Sequence, residues 1–103
     1  MYEVHAFHGE ATVDETNALG YEAGSRHPVI VFSRQDAGSP IDFALAAHRA
    51  HANGLHDVSF DDGGKLRPEA ITSMPPEFAN AYQSALDQGY GVVVYSEPVG
   101  ENA

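Results

Sequence analysis

Three segments of the chain carry apolar side chains in patterns typical of β-strands. Residues 2–8 alternate loosely between two sets of side chains, as a strand does. Residues 29–34 begin with a run of apolar, mostly β-branched side chains, and residues 90–95 form a second apolar run. Runs of this kind indicate strands that are covered on both faces. We therefore expect one strand near the start of the chain and two buried strands later in it.

A first helix is predicted over residues 39–53. Ser39 can accept hydrogen bonds from the free amides at the start, Pro40 fits the first helical position, and Gly54 ends the helix. At 100° per residue, one apolar face forms, and it comprises Ile41, Ala44, Leu45, His48, Ala52 and Leu55. Asp42, Arg49 and Asn53 fall on the opposite face. The pattern therefore predicts that His48 lies at the centre of the buried side.

The following segment has the composition of a β-hairpin. Residues 56–60 alternate like a half-exposed strand, and Asp61-Asp62-Gly63-Gly64 has the residues of a tight turn. This turn would return residues 65–67 as a short partner strand. A second helix is predicted over residues 75–88, because a Pro-Pro pair precedes an apolar stripe and Gly89 follows it.

From residue 29 onward the predicted order is strand, helix, hairpin, helix, strand. This order matches the ferredoxin-like βαββαβ arrangement, an α+β fold in which the helices pack on one mainly antiparallel sheet, and residues 2–8 add an extra N-terminal strand. We expect residues 1–97 to form a single globular domain and residues 98–103 to form a flexible C-terminal tail. Proteins of unrelated function share this fold, so it selects no activity.

The composition is that of an acidic folded domain. The 103 residues include 15 Asp and Glu against 5 Lys and Arg, with a formal net charge of -10. This charge disfavours direct binding to nucleic acid or to an anionic membrane. The chain has no cysteine, which excludes disulfides, thiol nucleophiles and thiolate zinc sites. We see neither a secretory signal nor an apolar run near the roughly 20 residues of a spanning helix, and we expect a cytoplasmic protein.

The net charge is concentrated at the two ends of the chain. Residues 1–25 and 68–103 contain no Lys or Arg, whereas residues 26–67 contain equal numbers of acidic and basic side chains. If the first strand and the second helix are neighbours in space, they form an acidic surface that steers a basic partner onto itself. Spaced carboxylates would then mimic a phosphate backbone. The alternative is that the acidity serves solubility alone.

The predicted partner-binding residues come from the acidic N-terminal segment. Tyrosine together with carboxylates can bind Arg and Lys side chains. Tyr21 and Glu22 stand in a long loop before the second strand, where contact residues are common. The full predicted set is Glu3, Glu10, Asp14, Glu15, Tyr21 and Glu22.

Histidines are the candidates for catalysis or metal binding. His48 and His51 are spaced i, i+3, but closed zinc sites need three or four converging ligands. His5 and His8 would face opposite sides of a strand. The chain also lacks a phosphate-binding glycine loop, a dinucleotide fingerprint and a nucleophile elbow, and we expect neither a metal nor a cofactor. The alternative function is a small ferredoxin-like enzyme in which His48 or His56 acts as acid or base.

Size, charge segregation and missing catalytic motifs favour a non-enzymatic protein that binds and blocks a basic or nucleic-acid-handling protein. In size and acidity the chain is similar to the small acidic inhibitors that phages encode against bacterial defences, anti-CRISPR proteins among them. An immunity protein that neutralises a toxin nuclease would use the same charge complementarity. The resemblance covers bulk properties and no motif, so it transfers no functional residue. A homodimer is left open.

Overall fold

The structure, a computed structural model, describes residues 1–15, 21–97 and 99. Of the predicted C-terminal tail, residues 98–103, all but Val99 lie outside the described residues. No helix among the described residues is long and apolar enough to cross a membrane. The elements are β1 (Tyr2–Val13), β2 (Arg26–Asp36), α1 (Phe43–His51), β3 (Leu55–Leu66), a 3-10 helix (Pro68–Ser73), α2 (Pro76–Gln88) and β4 (Tyr90–Val94).

One antiparallel sheet of four strands organises the fold, in the order β3-β1-β2-β4. The predicted α+β class, with one antiparallel sheet and two helices, is confirmed. The ferredoxin-like arrangement and the extra N-terminal strand are not confirmed, because the first strand lies inside the sheet, between β3 and β2. In this order β3 and β4 form the two edges of the sheet.

The two helices lie on opposite faces of the sheet, and β2 is buried between them. Val29 and Val31 pack with α1, and this side is called the α1 face. Ile30 and Phe32 alternate with them and pack with α2, on the α2 face. The continuous apolar run of β2 was predicted to indicate a strand covered on both faces, and side chains on both of its faces are covered.

The predicted hairpin at residues 56–67 is wrong. These residues belong to the single strand β3, which pairs along β1 with Gly63 opposite Phe7. Neither Gly63 nor Gly64 has the positive φ that would mark a glycine turn. A Cβ on Gly63 would stand 2.7 Å from the Phe7 ring and 2.9 Å from the Phe43 ring. The glycine at position 63 leaves space for the aromatic rings of the core. A glycine placed for this reason looks the same in the sequence as a glycine in a turn.

The predicted orientation of the first helix is also wrong. Asp42 caps α1 by accepting a hydrogen bond from the Leu45 amide at 2.9 Å, so the helix starts after the Ser39-Pro40 pair. Ala46 and Ala50 are buried against the sheet, whereas His48 is exposed. The two alanines let the helix approach the sheet closely. That rotation turns Arg49, predicted to face solvent, towards the sheet.

Arg49 joins three parts of the molecule. Its Nη1 donates to Ser33 Oγ at 2.7 Å, to the Arg34 carbonyl at 3.1 Å and to the Gly89 carbonyl at 2.5 Å. Gly89 is the C-cap of α2, and Arg34 donates to the Leu86 carbonyl of the same helix at 2.8 Å. The α2 helix has no basic residue in its own last turn, so these two arginines supply the positive charge that a helix C-terminus favours.

Burial lowers the pKa of Arg49, and the nearby Arg34 lowers it further, while Asp42 raises it. The guanidinium stays charged at neutral pH, because the ordinary pKa of arginine lies far above neutrality. Its hydrogen bonds are therefore charge-assisted, which strengthens them relative to neutral ones.

Replacing Arg49 with methionine should destabilise the fold. The change leaves the buried Ser33 hydroxyl without its donor, and an unsatisfied buried group costs about 1–3 kcal/mol. The Gly89 carbonyl loses a charge-assisted hydrogen bond but keeps the one from the Arg34 amide. Urea denaturation would measure the free energy of unfolding. Arg67→Met is the matched control, because Arg67 is exposed and should change stability by about 0.5 kcal/mol or less. Equal losses in both variants would contradict the bridging role.

Replacing Gly91 with alanine should displace α2 from the sheet. A Cβ at Gly91 would overlap the Ala81 carbonyl oxygen, and a helix backbone cannot yield as a flexible side chain can. We expect a loss of about 1–3 kcal/mol in the free energy of unfolding. Gly64→Ala is the control, since nothing lies within 4 Å of its added methyl group. A Gly91→Ala protein as stable as Gly64→Ala would refute the close contact.

Candidate functional site

The six predicted partner-binding residues do not lie together. Glu3 stands near the start of β1, whereas Asp14 and Glu15 follow its end. A strand rises about 3.4 Å per residue, so Glu3 and Asp14 are roughly 35 Å apart along the sheet. Tyr21 and Glu22 come just before β2, and this places them at the same end as Asp14 and Glu15, because β1 and β2 are antiparallel neighbours.

Three of the predicted acidic residues bind side chains of the same chain. Glu3 contacts His5 at 2.5 Å and Lys65 at 3.6 Å. The Glu10 carboxylate accepts from Arg26 Nε at 3.0 Å. Asp14 lies 2.5 Å from His56 Nε2. These contacts give the three carboxylates a structural role, and they leave Glu15 and Glu22 as the exposed carboxylates of the predicted set.

The fold brings two further exposed carboxylates to this end of the sheet. Glu97 follows β4, which ends beside the start of β2, and Glu77 lies in the first turn of α2. The rings of Phe78 and Tyr95 lie 6.0 Å apart, which places the start of α2 next to the end of β4. We call the four exposed side chains at this end, Glu15, Glu22, Glu77 and Glu97, the acidic rim.

An open apolar groove adjoins the acidic rim. It has a volume of about 740 Å³ and runs along β4. Its apolar lining comprises Tyr21, Pro28, Phe78, Val92, Val93, Val94 and Tyr95, while Glu77, Ser96 and Glu97 supply its polar residues. Tyr95 is 41% exposed, which is high for a large aromatic side chain. Aromatic residues beside carboxylates suit a surface that binds a protein segment bearing apolar and basic side chains.

His27 positions the aromatic residues of the groove, a role that the sequence did not reveal. Its ring is 2% exposed and stacks on Tyr21 with centroids 4.5 Å apart. Its Nδ1 lies 2.7 Å from the Tyr95 carbonyl, and its Nε2 lies 2.9 Å from Ser25 Oγ. A proton on Nδ1 lets the ring donate to the Tyr95 carbonyl, while the Ser25 hydroxyl donates its single proton to the Glu22 carbonyl at 2.7 Å. Only the His-Pro pair at the start of β2 hinted at a special position.

The histidines predicted for catalysis lie outside the groove. His48 is exposed on α1, so it cannot line a pocket between the helix and the sheet. His56 pairs with Asp14, and its ring lies 4.7 Å from that of His51. None of these residues lines the groove along β4. Among the described residues, no group of three or more potential ligands is arranged to hold a metal ion.

A second polar cluster lies at the opposite end of the α1 face. His5 is fully buried and donates from Nε2 to Glu3, while its Nδ1 has no hydrogen-bond partner among the described residues. The Gly38 amide also donates to Glu3, at 3.1 Å. The hydrogen bond from His5 holds the pKa of Glu3 below its ordinary value, and the Gly38 amide and Lys65 act in the same direction against a smaller effect of burial. The cluster fastens the start of β1 to the turn after β2.

The lowered pKa of Glu3 predicts a specific acid sensitivity. Because the folded pKa lies below the unfolded one, the stabilisation is complete above the ordinary value of 4.5 and is lost as the pH falls through the folded pKa. Urea denaturation from about pH 6 to about pH 3 should show a steeper loss for the wild type than for Glu3→Gln. The exposed Glu69→Gln variant should keep the wild-type profile. Parallel profiles for the wild type and Glu3→Gln would contradict this role.

Comparison of the chain with protein-family models, with curated proteins and with solved structures finds no match. The functional evidence is therefore the geometry of the chain itself. In that geometry, an apolar groove lies along β4, and Glu77 and Glu97 of the acidic rim line it.

Proposed function

We propose that the protein binds a basic, nucleic-acid-handling protein through the acidic rim and the groove along β4, and thereby masks the partner's basic surface. The observation that carries the proposal is that Glu77 and Glu97 line one exposed apolar groove together with Tyr21, at the end of the sheet where Glu15 and Glu22 also lie. Glu22 lies next to Tyr21, and Glu77 and Glu97 line the same groove as Tyr21. Apolar contact supplies affinity at such a surface, while complementary charge supplies orientation and speed of association.

The charge around the groove supports a basic partner. The described residues from 68 to 97 carry Glu69, Glu77, Asp87 and Glu97 and no Lys or Arg. Arg26 is the nearest basic residue in the sequence to Tyr21, and Glu10 neutralises it through an ion pair. The field of the rim is therefore not cancelled locally. It would attract a positively charged protein and repel nucleic acid.

Masking follows from the chemistry of the partner. A protein that handles nucleic acid uses Lys and Arg to neutralise phosphates, and carboxylates spaced along the rim would compete for those side chains. A phage inhibitor of a bacterial defence protein and an immunity protein against a toxin nuclease would both act in this way. The identity of the captured partner distinguishes them.

The proposal predicts that neutralising the acidic rim abolishes capture of the partner. The test variant combines Glu15→Gln, Glu22→Gln, Glu77→Gln and Glu97→Gln, which are all exposed and should leave the free energy of unfolding nearly unchanged. The matched control combines Asp36→Asn, Asp61→Asn, Asp62→Asn and Glu69→Gln, which are exposed elsewhere and change the net charge equally. Each immobilised protein is incubated with lysate at low and high salt, and captured proteins are identified by mass spectrometry.

We expect the wild type and the control variant to capture the same basic protein, which high salt releases, and the rim variant to lose it by at least about tenfold. The captured protein should also lose its binding to nucleic acid when the wild-type chain is added. Equal capture by the rim variant would refute the proposed surface. A captured protein whose nucleic-acid binding is unaffected would refute masking.

A further inference from the structure

We infer that the segment bound in the groove is an extended basic strand of the partner, which pairs with the free edge of β4 as a fifth strand of the sheet. This inference rests on the function proposed above and specifies how the same site recognises its partner. Recognition of this type takes its affinity from main-chain hydrogen bonds and its specificity from alternate side chains.

Two backbone hydrogen bonds define which groups of β4 point outward. The Tyr95 amide donates to the Pro28 carbonyl at 3.0 Å, and the Arg34 amide donates to the Gly89 carbonyl at 2.9 Å. Bonded and non-bonded pairs alternate in an antiparallel ladder. Residues 91 and 93 therefore bond to β2, whereas residues 90, 92 and 94 direct their N–H and C=O groups away from the sheet.

Two of the three outward carbonyls, those of Tyr90 and Val94, have side-chain neighbours within the chain, so the backbone of Val92 is the part of the outer edge best placed for strand pairing. Ser84 Oγ donates to the Tyr90 carbonyl at 3.0 Å, and the Tyr21 hydroxyl lies 3.4 Å from the Val94 carbonyl, which is long for a hydrogen bond. Among the described residues, no strand pairs with this edge. The backbone of Val92, at the centre of the edge, is aligned to exchange two hydrogen bonds with an added strand.

The two edges of the sheet differ in how they are protected. The β3 edge has two register irregularities against β1, a positive φ at Asp57 and charged side chains along its length. Irregularities and charges of this kind discourage pairing with other chains. The β4 edge has the sequence Tyr-Gly-Val-Val-Val, with no charge, proline or irregularity in its pairing. An unprotected apolar edge is expected where a partner strand binds.

The side chains beside the edge define the chemistry of the occupant. Val92 and Val94 project on the α1 face near Tyr21, and Val93 projects on the α2 face, so an added strand meets apolar surface on both sides. Glu77 and Glu97 line the groove and would bind Lys or Arg of that strand. A second copy of this chain would bring two such acidic grooves and two net charges of -10 together. Charge complementarity therefore favours a basic segment over a homodimer.

The test uses a peptide of about eight residues that alternates valine and lysine, with two N-methylated analogues. One analogue carries methyl groups on the backbone nitrogens of the valines and the other on the backbone nitrogens of the lysines. Each analogue therefore lacks the backbone N–H groups along one edge of the peptide strand and keeps the charge of the lysine side chains. Strand pairing predicts that one analogue loses at least about tenfold in affinity for the full chain and that the other binds like the parent. Equal binding of both analogues would overturn the inference.

Amide hydrogen exchange supplies a readout on the protein itself. The peptide should slow exchange at the outward amides of Val92 and Val94, while amides along β3 keep their rates. Unchanged exchange at Val92 and Val94 would contradict strand pairing. If exchange at Val92 and Val94 slows as the protein concentration rises, without any peptide, then a second copy of the chain occupies the edge of β4. That result would likewise overturn the inference.

The acidic-rim variant separates this inference from the proposed function. If it loses the peptide while both N-methylated analogues bind the wild type equally, the charged surface is supported and strand pairing is refuted. If one analogue fails to bind and the rim variant captures the cellular partner as well as the wild type does, the proposed charged surface is refuted instead.

Discussion

The contact between Arg49 and the C-cap of α2 is the interaction on which the arrangement of layers depends. The two helices are separated by the sheet, and Arg49 is long enough to reach from α1 past Ser33 to the Gly89 carbonyl, where β4 begins. The same residue therefore fixes the position of α1 against the sheet, the C-terminal end of α2 and the point at which β4 begins. Because β4 carries the groove, a partly buried cation on the far helix helps to set the geometry of the candidate binding surface.

Local sequence patterns predicted β2 and the start of α2 correctly. They failed where packing between distant segments determines the structure. The apolar run of β2 and the proline start of α2 appear as expected. Gly63 and Gly64 resembled a turn, but space for the Phe7 and Phe43 rings, contributed by distant parts of the chain, explains the absence of a side chain at Gly63. Likewise, helical periodicity placed His48 on the buried face, whereas Ala46 and Ala50 are buried there and Arg49 donates to Ser33 of the sheet.

The candidate site was less accessible to sequence reasoning than the fold. Charge counting identified acidic ends, yet it could not show that Glu3, Glu10 and Asp14 are paired within the chain while Glu77 and Glu97 join Tyr21 at one groove. Whether a strand lies at an edge also depends on its neighbours in the sheet, since the run Val92 to Val94 suits a buried centre equally well. These properties arise from contacts between residues far apart in the sequence.

The position of β4 in the sheet has a consequence for folding. The β1 and β2 strands are consecutive in the sequence. In contrast, β2 pairs with β4 across a long intervening segment, and the paired residues nearest in sequence are Ser33 and Tyr90. Closing a long loop costs chain entropy before contacts compensate for it, so such pairings form late. The groove exists only after this last strand has docked. Partly folded molecules therefore lack the surface, and capacity to bind becomes a measure of completed folding.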